Sequence, residues 1–228
     1  IDNFYLKTGR SNLKLQANAQ YKNQREYIQA RVDGQVDLRE INKLYPIIEK
    51  GKVRGLMSAY LGTYFYLDDL ANTNLSKIHT NGTISGDDVM VYLPENHLRL
   101  YVDSLRFKEN TNTGVLSRRT NTLDTALINS RLAFSNLNVR YKRQVNAEVD
   151  RLNLRFYADD LSGNKAPKLR ANVSLRGFNA QTKDTIKFKA KRLSASANIA
   201  PNKEFTFVPT SSVRLSFDSV IFASKKAG

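Results

Sequence analysis

Leu100-Tyr101-Val102-Asp103-Ser104-Leu105-Arg106-Phe107 is the stretch on which the fold turns. Alternation puts Leu100 and Val102 on one face of a strand, but the step of three from Val102 to Leu105 would flip that face. A β-bulge absorbs the extra residue, keeps the apolar side in place and sharpens the local twist. The phrase recurs as Leu132-Ala-Phe134-Ser135-Asn-Leu137-Asn-Val139 and as Val145-Asn-Ala147-Glu-Val149-Asp150-Arg-Leu152-Asn-Leu154. Looser copies are Phe188-Lys-Ala190-Lys191-Arg-Leu193-Ser-Ala195 and Leu215-Ser-Phe217-Asp218-Ser-Val220-Ile-Phe222. A chain of such units predicts an all-β fold: a long antiparallel meander curled into an open groove or incomplete barrel. Val102 and Leu105, and likewise Val149 and Leu152, are expected to share the apolar face.

Working outward, alternation predicts strands at Asn12–Gln20, Tyr27–Asp37, Lys52–Leu67, His79–Leu93 and Leu98–Phe107. Further strands are expected at Asp124–Arg140, Lys142–Tyr157, Lys168–Gln181, Thr185–Ala200 and Phe205–Ala223. Between them, Leu38, Ile41 and Leu44 fall at steps of three before Pro46, so residues 38–46 read as a short helix capping the open end of the sheet. Asp68–Lys77 reads as a turn or short helical connection. Tyr60, Tyr64 and Tyr66 lie opposite Val53, Met57, Ala59, Leu61, Phe65 and Leu67, so that strand is expected to be covered on both sides. The Asn- and Thr-rich stretch 109–123 reads as a mobile loop. Leu137, Leu152, Phe178 and Leu193 give a two-strand unit that repeats after 41 residues (137 to 178, 152 to 193), a repeat architecture able to extend beyond this chain. Residues 1–228 read as one continuous β-groove segment; a start at Ile1-Asp2 without Met is read as an excerpt of a longer protein.

Of the 228 residues 41% are hydrophobic, enough for a folded chain, and there are 11 Tyr and 11 Phe but no Trp. Cysteine is absent, which removes disulfides and thiol nucleophiles. Thirty-six basic against 21 acidic residues give a formal charge of +15, which calls for an anionic partner or a solvated outer face. Lys187, Lys189 and Lys191 alternate with Ile186, Phe188 and Ala190, as an outer face requires. No apolar run approaches the length of a membrane-spanning helix.

No catalytic set emerges. His79 and His97 begin strands beside polar neighbours, no zinc spacing exists, and no cofactor is expected. Asp68-Asp69, Asp87-Asp88 and Asp159-Asp160 sit at expected turns, where Asp caps backbone amides more readily than it binds calcium. Gly82-Thr-Ile-Ser-Gly86 lacks the Lys of a phosphate loop. Single-strand nucleic-acid binders need aromatics and bases on one face; here the aromatics mostly alternate into the apolar face while the basic residues point the other way, so nucleic acid is not an expected partner. The chain reads as non-enzymatic.

Gly34-Gln-Val36-Asp-Leu38, Leu44-Tyr45-Pro46 and Gly51-Lys-Val53-Arg-Gly55 resemble the AsmA-like family of bacterial envelope proteins, including its TamB-type relatives. Asn81-Gly82-Thr-Ile84-Ser-Gly86-Asp-Asp-Val89 is similar to that family's Gly-bounded strand starts, and the Asp-x-Leu phrases extend the resemblance across roughly residues 12–223. The resemblance implies a Gram-negative periplasmic protein, anchored to the inner membrane outside this segment. It also implies a long sheet serving as a conduit for phospholipid or another acyl lipid in outer-membrane biogenesis, with envelope proteins as further partners. The residues expected to line the lipid groove are Val32, Val36, Met57, Leu61, Leu100, Val102, Leu105, Phe107, Phe134, Leu137, Val149, Leu152 and Phe188. The strong positive charge departs from the family pattern. The alternatives are a structural or interaction β-sandwich of the envelope and an outer-membrane barrel. Interrupted strands, a helix and missing aromatic girdles speak against the barrel.

Overall fold

The computed structural model describes residues 3–46, 48–72, 77–111, 114–116, 123–125, 128–142, 144–159, 166–182, 186–206 and 208–224. The elements are β1 (Phe4–Thr8), β2 (Ser11–Lys22), β3 (Arg25–Asp37), α1 (Leu38–Leu44), β4 (Lys52–Tyr66), α2 (Leu67–Ala71) and β5 (His79–Leu93). They continue with β6 (Leu98–Thr111), β7 (Gly114–Leu116), β8 (Leu123–Thr125), β9 (Ile128–Tyr141), β10 (Val145–Asp159), β11 (Lys168–Thr182), β12 (Ile186–Pro201) and β13 (Pro209–Ser224). Eleven strands form one antiparallel meander in chain order, while β7 and β8 pair as a separate hairpin between β6 and β9. β1 and β13 are its two edges and do not pair, so the sheet stays open. Turn chemistry sets the register where loops are tight. Asn23 and Gln24, both at positive φ (51° and 62°), join Lys22 to Arg25 in the two-residue turn whose twist matches the flanking strands.

The period change at Leu38 marks a helix, and α1 covers Leu38–Leu44. Its start is fixed by two carboxylates. Asp37 accepts a hydrogen bond from the Arg39 amide at 2.9 Å. Glu40 accepts from the Arg10 amide at 2.8 Å and from the Ser11 amide and hydroxyl at 3.0 and 2.6 Å. The Ser11 Oγ in turn accepts from the Asp37 amide at 2.9 Å. The capping residues thus bind the helix to the β1–β2 turn as well as satisfying its first amides. Gly9 in that turn has φ +47°, and a Cβ there would collide with the Glu40 carboxylate. α1 rests against β3 and β4 with none of its residues buried.

Several sequence expectations need correction. β1 was not anticipated, because its five residues carry too short an alternation to register. β9 begins at Ile128 rather than Asp124, since Leu123–Thr125 belongs to the small hairpin. β13 begins at Pro209, because Phe205 closes a turn by accepting from the Val208 amide at 2.9 Å. Of the stretch 109–123, residues 109–111 end β6, Gly114–Leu116 is β7 and Leu123 opens β8, while 112–113 and 117–122 lie outside the described residues. Asp87-Asp88 sits inside β5 and not at a turn.

The repeat has a direct structural meaning. Leu137 and Phe178 both oppose Val149, and Leu152 and Leu193 both oppose Leu175. A step of 41 residues therefore returns to the same row two strands further along the sheet.

Candidate functional site

Directly opposed residues of an antiparallel pair share a face, so the registers trace apolar rows across the sheet. One row crosses all eleven strands: Leu6, Leu13, Gly34, Ala59, Ile84, Phe107, Leu132, Leu154, Val173, Ala195 and Leu215. Beside it run Val36, Met57, Gly86, Leu105, Phe134, Leu152, Leu175, Leu193 and Phe217. A third row joins Val89, Val102, Leu137, Val149, Phe178, Ala190 and Val220. A fourth includes Val91, Leu100, Val139, Ala147, Ala180, Phe188 and Phe222. Val32 and Leu61 begin a fifth row, which becomes polar at Glu109 and Ser130 and apolar again at Phe156, Ala171, Ala197 and Val213. All thirteen residues expected to line the groove fall on these rows. The polar break holds itself together, with Glu109 accepting from the Thr111 hydroxyl at 2.8 Å and from Ser130.

The second and third rows are separated by the odd step that the sequence flagged. A Cβ built on Gly86 would lie 2.7 Å from Met57 Sδ, 2.8 Å from Val89 Cγ2 and 3.6 Å from Leu105 Cβ. Residues three apart on β5 therefore face the same way. Because Val89 opposes Val102 and Gly86 opposes Leu105, Val102 and Leu105 share that face as expected. On β10, Val149 is buried and Leu152 half-buried, with Asp150 and Arg151 between them exposed.

The means differs from the one anticipated. Between β4 and β5 there is a true bulge, the register shifting between Arg54 and Leu56. From β5 to β13 both partners carry the extra residue, so the register is the same on either side. The unpaired residues form a line: Asp88, Asp103, Asn136, Asp150, Gly177, Lys191 and Ser219. Alternate strands supply the left-handed member, Asp88 (φ 53°), Asn136 (50°), Gly177 (64°) and Ser219 (53°). Their neighbours across the line help hold them: Asn136 donates to Asp103 at 3.2 Å, and the Tyr101 hydroxyl donates to Asp88 at 2.8 Å. That bond, with the nearby carboxylates, pushes the Tyr101 phenol above its ordinary range.

Nothing among the described residues forms a second layer over the apolar rows. Among the described residues only Val102, Val149, Ala158, Ala166 and Ala190 are buried apolar residues. At the β13 edge Leu215 and Phe217 remain 71% and 73% exposed. Counting ten strand spacings of about 4.8 Å, the longest row is about 48 Å long.

The opposite face is polar, and here the expectation of cover over β4 fails: Tyr60 and Tyr64 are 48% and 41% exposed. These tyrosines, with Tyr66 on the same strand, are partnered instead by cations and by neighbouring rings. Arg31 lies 4.8 Å from the Tyr60 ring and Arg25 4.2 Å from that of Tyr66, while Tyr64 stacks on His79 at 4.4 Å. Arg25 also clasps Asp68 and Asp69 at 2.6 and 2.7 Å. This clasp draws the Asp68 carboxyl below its usual range and raises the guanidinium further. Asp87 pairs with Arg106 at 2.8 Å. These carboxylates have protein partners, and no group of metal-ligating side chains forms among the described residues; Asp160 lies outside them. Among the described residues no helix is long and apolar enough to cross a membrane.

No protein-family model, curated protein or solved structure matches the chain.

Proposed function

We propose that this chain is a segment of a lipid-carrying groove in the bacterial cell envelope, non-enzymatic and working by contact between its apolar rows and acyl chains. One observation carries the reading: an apolar row that crosses every strand of an open sheet, with no second layer of described residues over it. Fully burying a Val, Leu or Phe side chain is worth about 1.5–3 kcal/mol, and so large an apolar face marks a surface made to be covered. A leaflet is about 15 Å thick, half a hydrocarbon core of about 30 Å. The row of about 48 Å can therefore hold acyl chains end to end. The resemblance of Gly34–Leu38 and Gly51–Gly55 to AsmA-like proteins supports the same reading and favours a periplasmic location with phospholipid as cargo.

The test is photo-crosslinking at high salt, which suppresses surface electrostatics, using lipid labelled in its acyl chains. Photo-reactive residues at Val102 and Val149 should capture lipid, and those at Lys187 and Lys189 on the other face should not. Equal capture from both faces, or none from either, would favour the interaction-module reading, in which a second protein layer covers the rows.

A further inference from the structure

The charge of +15 is concentrated by the strand register in a way that the groove does not use. On the polar face Lys108, Arg131 and Arg155 stand directly opposite one another on β6, β9 and β10. Arg151, Arg176 and Arg192 do the same on β10, β11 and β12. All six side chains are exposed, and among the described residues no carboxylate pairs with any of them. Like charges set directly across a strand pair destabilise a sheet. Two such rows on one face call for an anion to offset them.

The surroundings match. Between the rows lies a line of short polar side chains, Asn153, Ser174, Ser194 and Ser216, which leaves the guanidinium groups standing clear. The one acid opposite the second row, Asp218 across from Arg192, is engaged by Lys191 at 3.8 Å and by the Ser219 hydroxyl at 2.9 Å. The rows are about 13 Å apart along β10, and together they span five strands, about 19 Å.

We infer that this face docks on an anionic phospholipid bilayer, its cations meeting lipid phosphates spread in a plane. The shape argues against nucleic acid. The major groove is about 12 Å wide and admits a helix or a two-stranded ribbon, not an array five strands and about 19 Å across. Single strands need successive aromatic platforms; neither cation row nor the line between them contains an aromatic residue, and Tyr157, beside Arg155 on the same face, already has Arg170 5.8 Å from its ring. Docking and cargo use opposite faces, so either can fail without the other.

The experiment is co-sedimentation of the full chain with vesicles of 30% phosphatidylglycerol in phosphatidylcholine, beside pure phosphatidylcholine and duplex DNA at the same salt. Each cation at an anionic surface is worth about fivefold in partitioning. Arg151→Gln/Arg176→Gln/Arg192→Gln should therefore lose on the order of 100-fold in binding, while the triple Arg→Lys variant keeps most of it. The melting temperature of the Gln variant should hold or rise as repulsion is removed, which separates lost docking from lost folding. Comparable binding to neutral vesicles, undiminished binding by a folded Gln variant, or tighter binding to DNA would each overturn the inference.

Discussion

Gly177→Ala is the sharpest test of how the sheet keeps one face apolar. Gly177 sits at φ +64° in the line of unpaired residues, and its missing Cβ would meet the Asp150 carboxylate and lie 2.9 Å from Asp150 Cβ. A left-handed alanine costs about 1–2 kcal/mol. The clash adds about 1 kcal/mol, toward the low end for overpacking because the exposed Asp150 can partly swing aside. The expected loss is about 2–3 kcal/mol, read as a lower urea midpoint at constant slope. Asp150→Ala alone, on the surface, should stay within about 0.5 kcal/mol. In the double variant it should recover about 1 kcal/mol, since the carboxylate is the nearest obstacle and only its Cβ remains. A cost for Gly177→Ala below about 0.5 kcal/mol, or additivity of the two changes, would refute the argument that this left-handed residue and its neighbour hold the kink between Val149 and Leu152.

Three further outcomes are expected. The Glu40 carboxyl is held below its usual range, first by the Ser11 hydroxyl and then by the Arg10 amide; its stabilising effect is present above the unfolded carboxylate range and lost as pH falls through the folded value, so thermal melts of Glu40→Gln should fall less steeply with acidification than those of the parent. Arg25→Ala, which releases Asp68, the largely buried Asp69 and the Tyr66 ring, should lower the melting temperature more than Arg31→Ala, whose partner Asp33 is exposed; equal effects would deny the clasp a structural role. Val102→Asp and Val149→Asp put an unpaired charge among apolar neighbours and should abolish acyl-lipid capture, whereas Lys189→Asp should leave it intact.

What could be read from the sequence was whatever leaves a period in it. Alternation marked nearly every long strand, and the steps of three at Leu38, Ile41 and Leu44 marked α1. The polar-x-Leu phrase marked the line of kinks, because an apolar face maintained across an odd spacing requires one. The backbone device behind it was not legible. Asn136 and Ser219 take the left-handed conformation at the second position of the phrase, whereas Asp103, Asp150 and Lys191 stand opposite such residues at the first. One phrase thus conceals two backbone roles. The cation rows were invisible for a different reason. Lys108, Arg131 and Arg155 are scattered along the chain and meet only through register, so a search for runs of like charge passes over them. The cover expected over Tyr60 and Tyr64 failed because aromatic rings do not need a second layer when Arg31 and His79 can lie against them.

A single-layer sheet stands in an unusual energetic position. Each strand but the two edges is held by two neighbours, yet among the described residues its apolar side chains have no second layer over them, so the usual gain from packing one is missing. Any occupant that binds the folded face and not the unfolded chain then stabilises the fold by mass action, by about 2.7 kcal/mol at a hundredfold excess over its dissociation constant. An acyl chain laid along Phe107, Leu132 and Leu154 would serve as cargo and at the same time as the missing half of the core. The strands nearest the exposed β13 edge, where Leu215 and Phe217 have the least cover, stand to gain most from it. The line of kinks matters for the same reason. Without the left-handed residues at Asn136, Gly177 and Ser219, the side chains beyond them would alternate out of phase, and the apolar face would break in two across the path such an occupant follows.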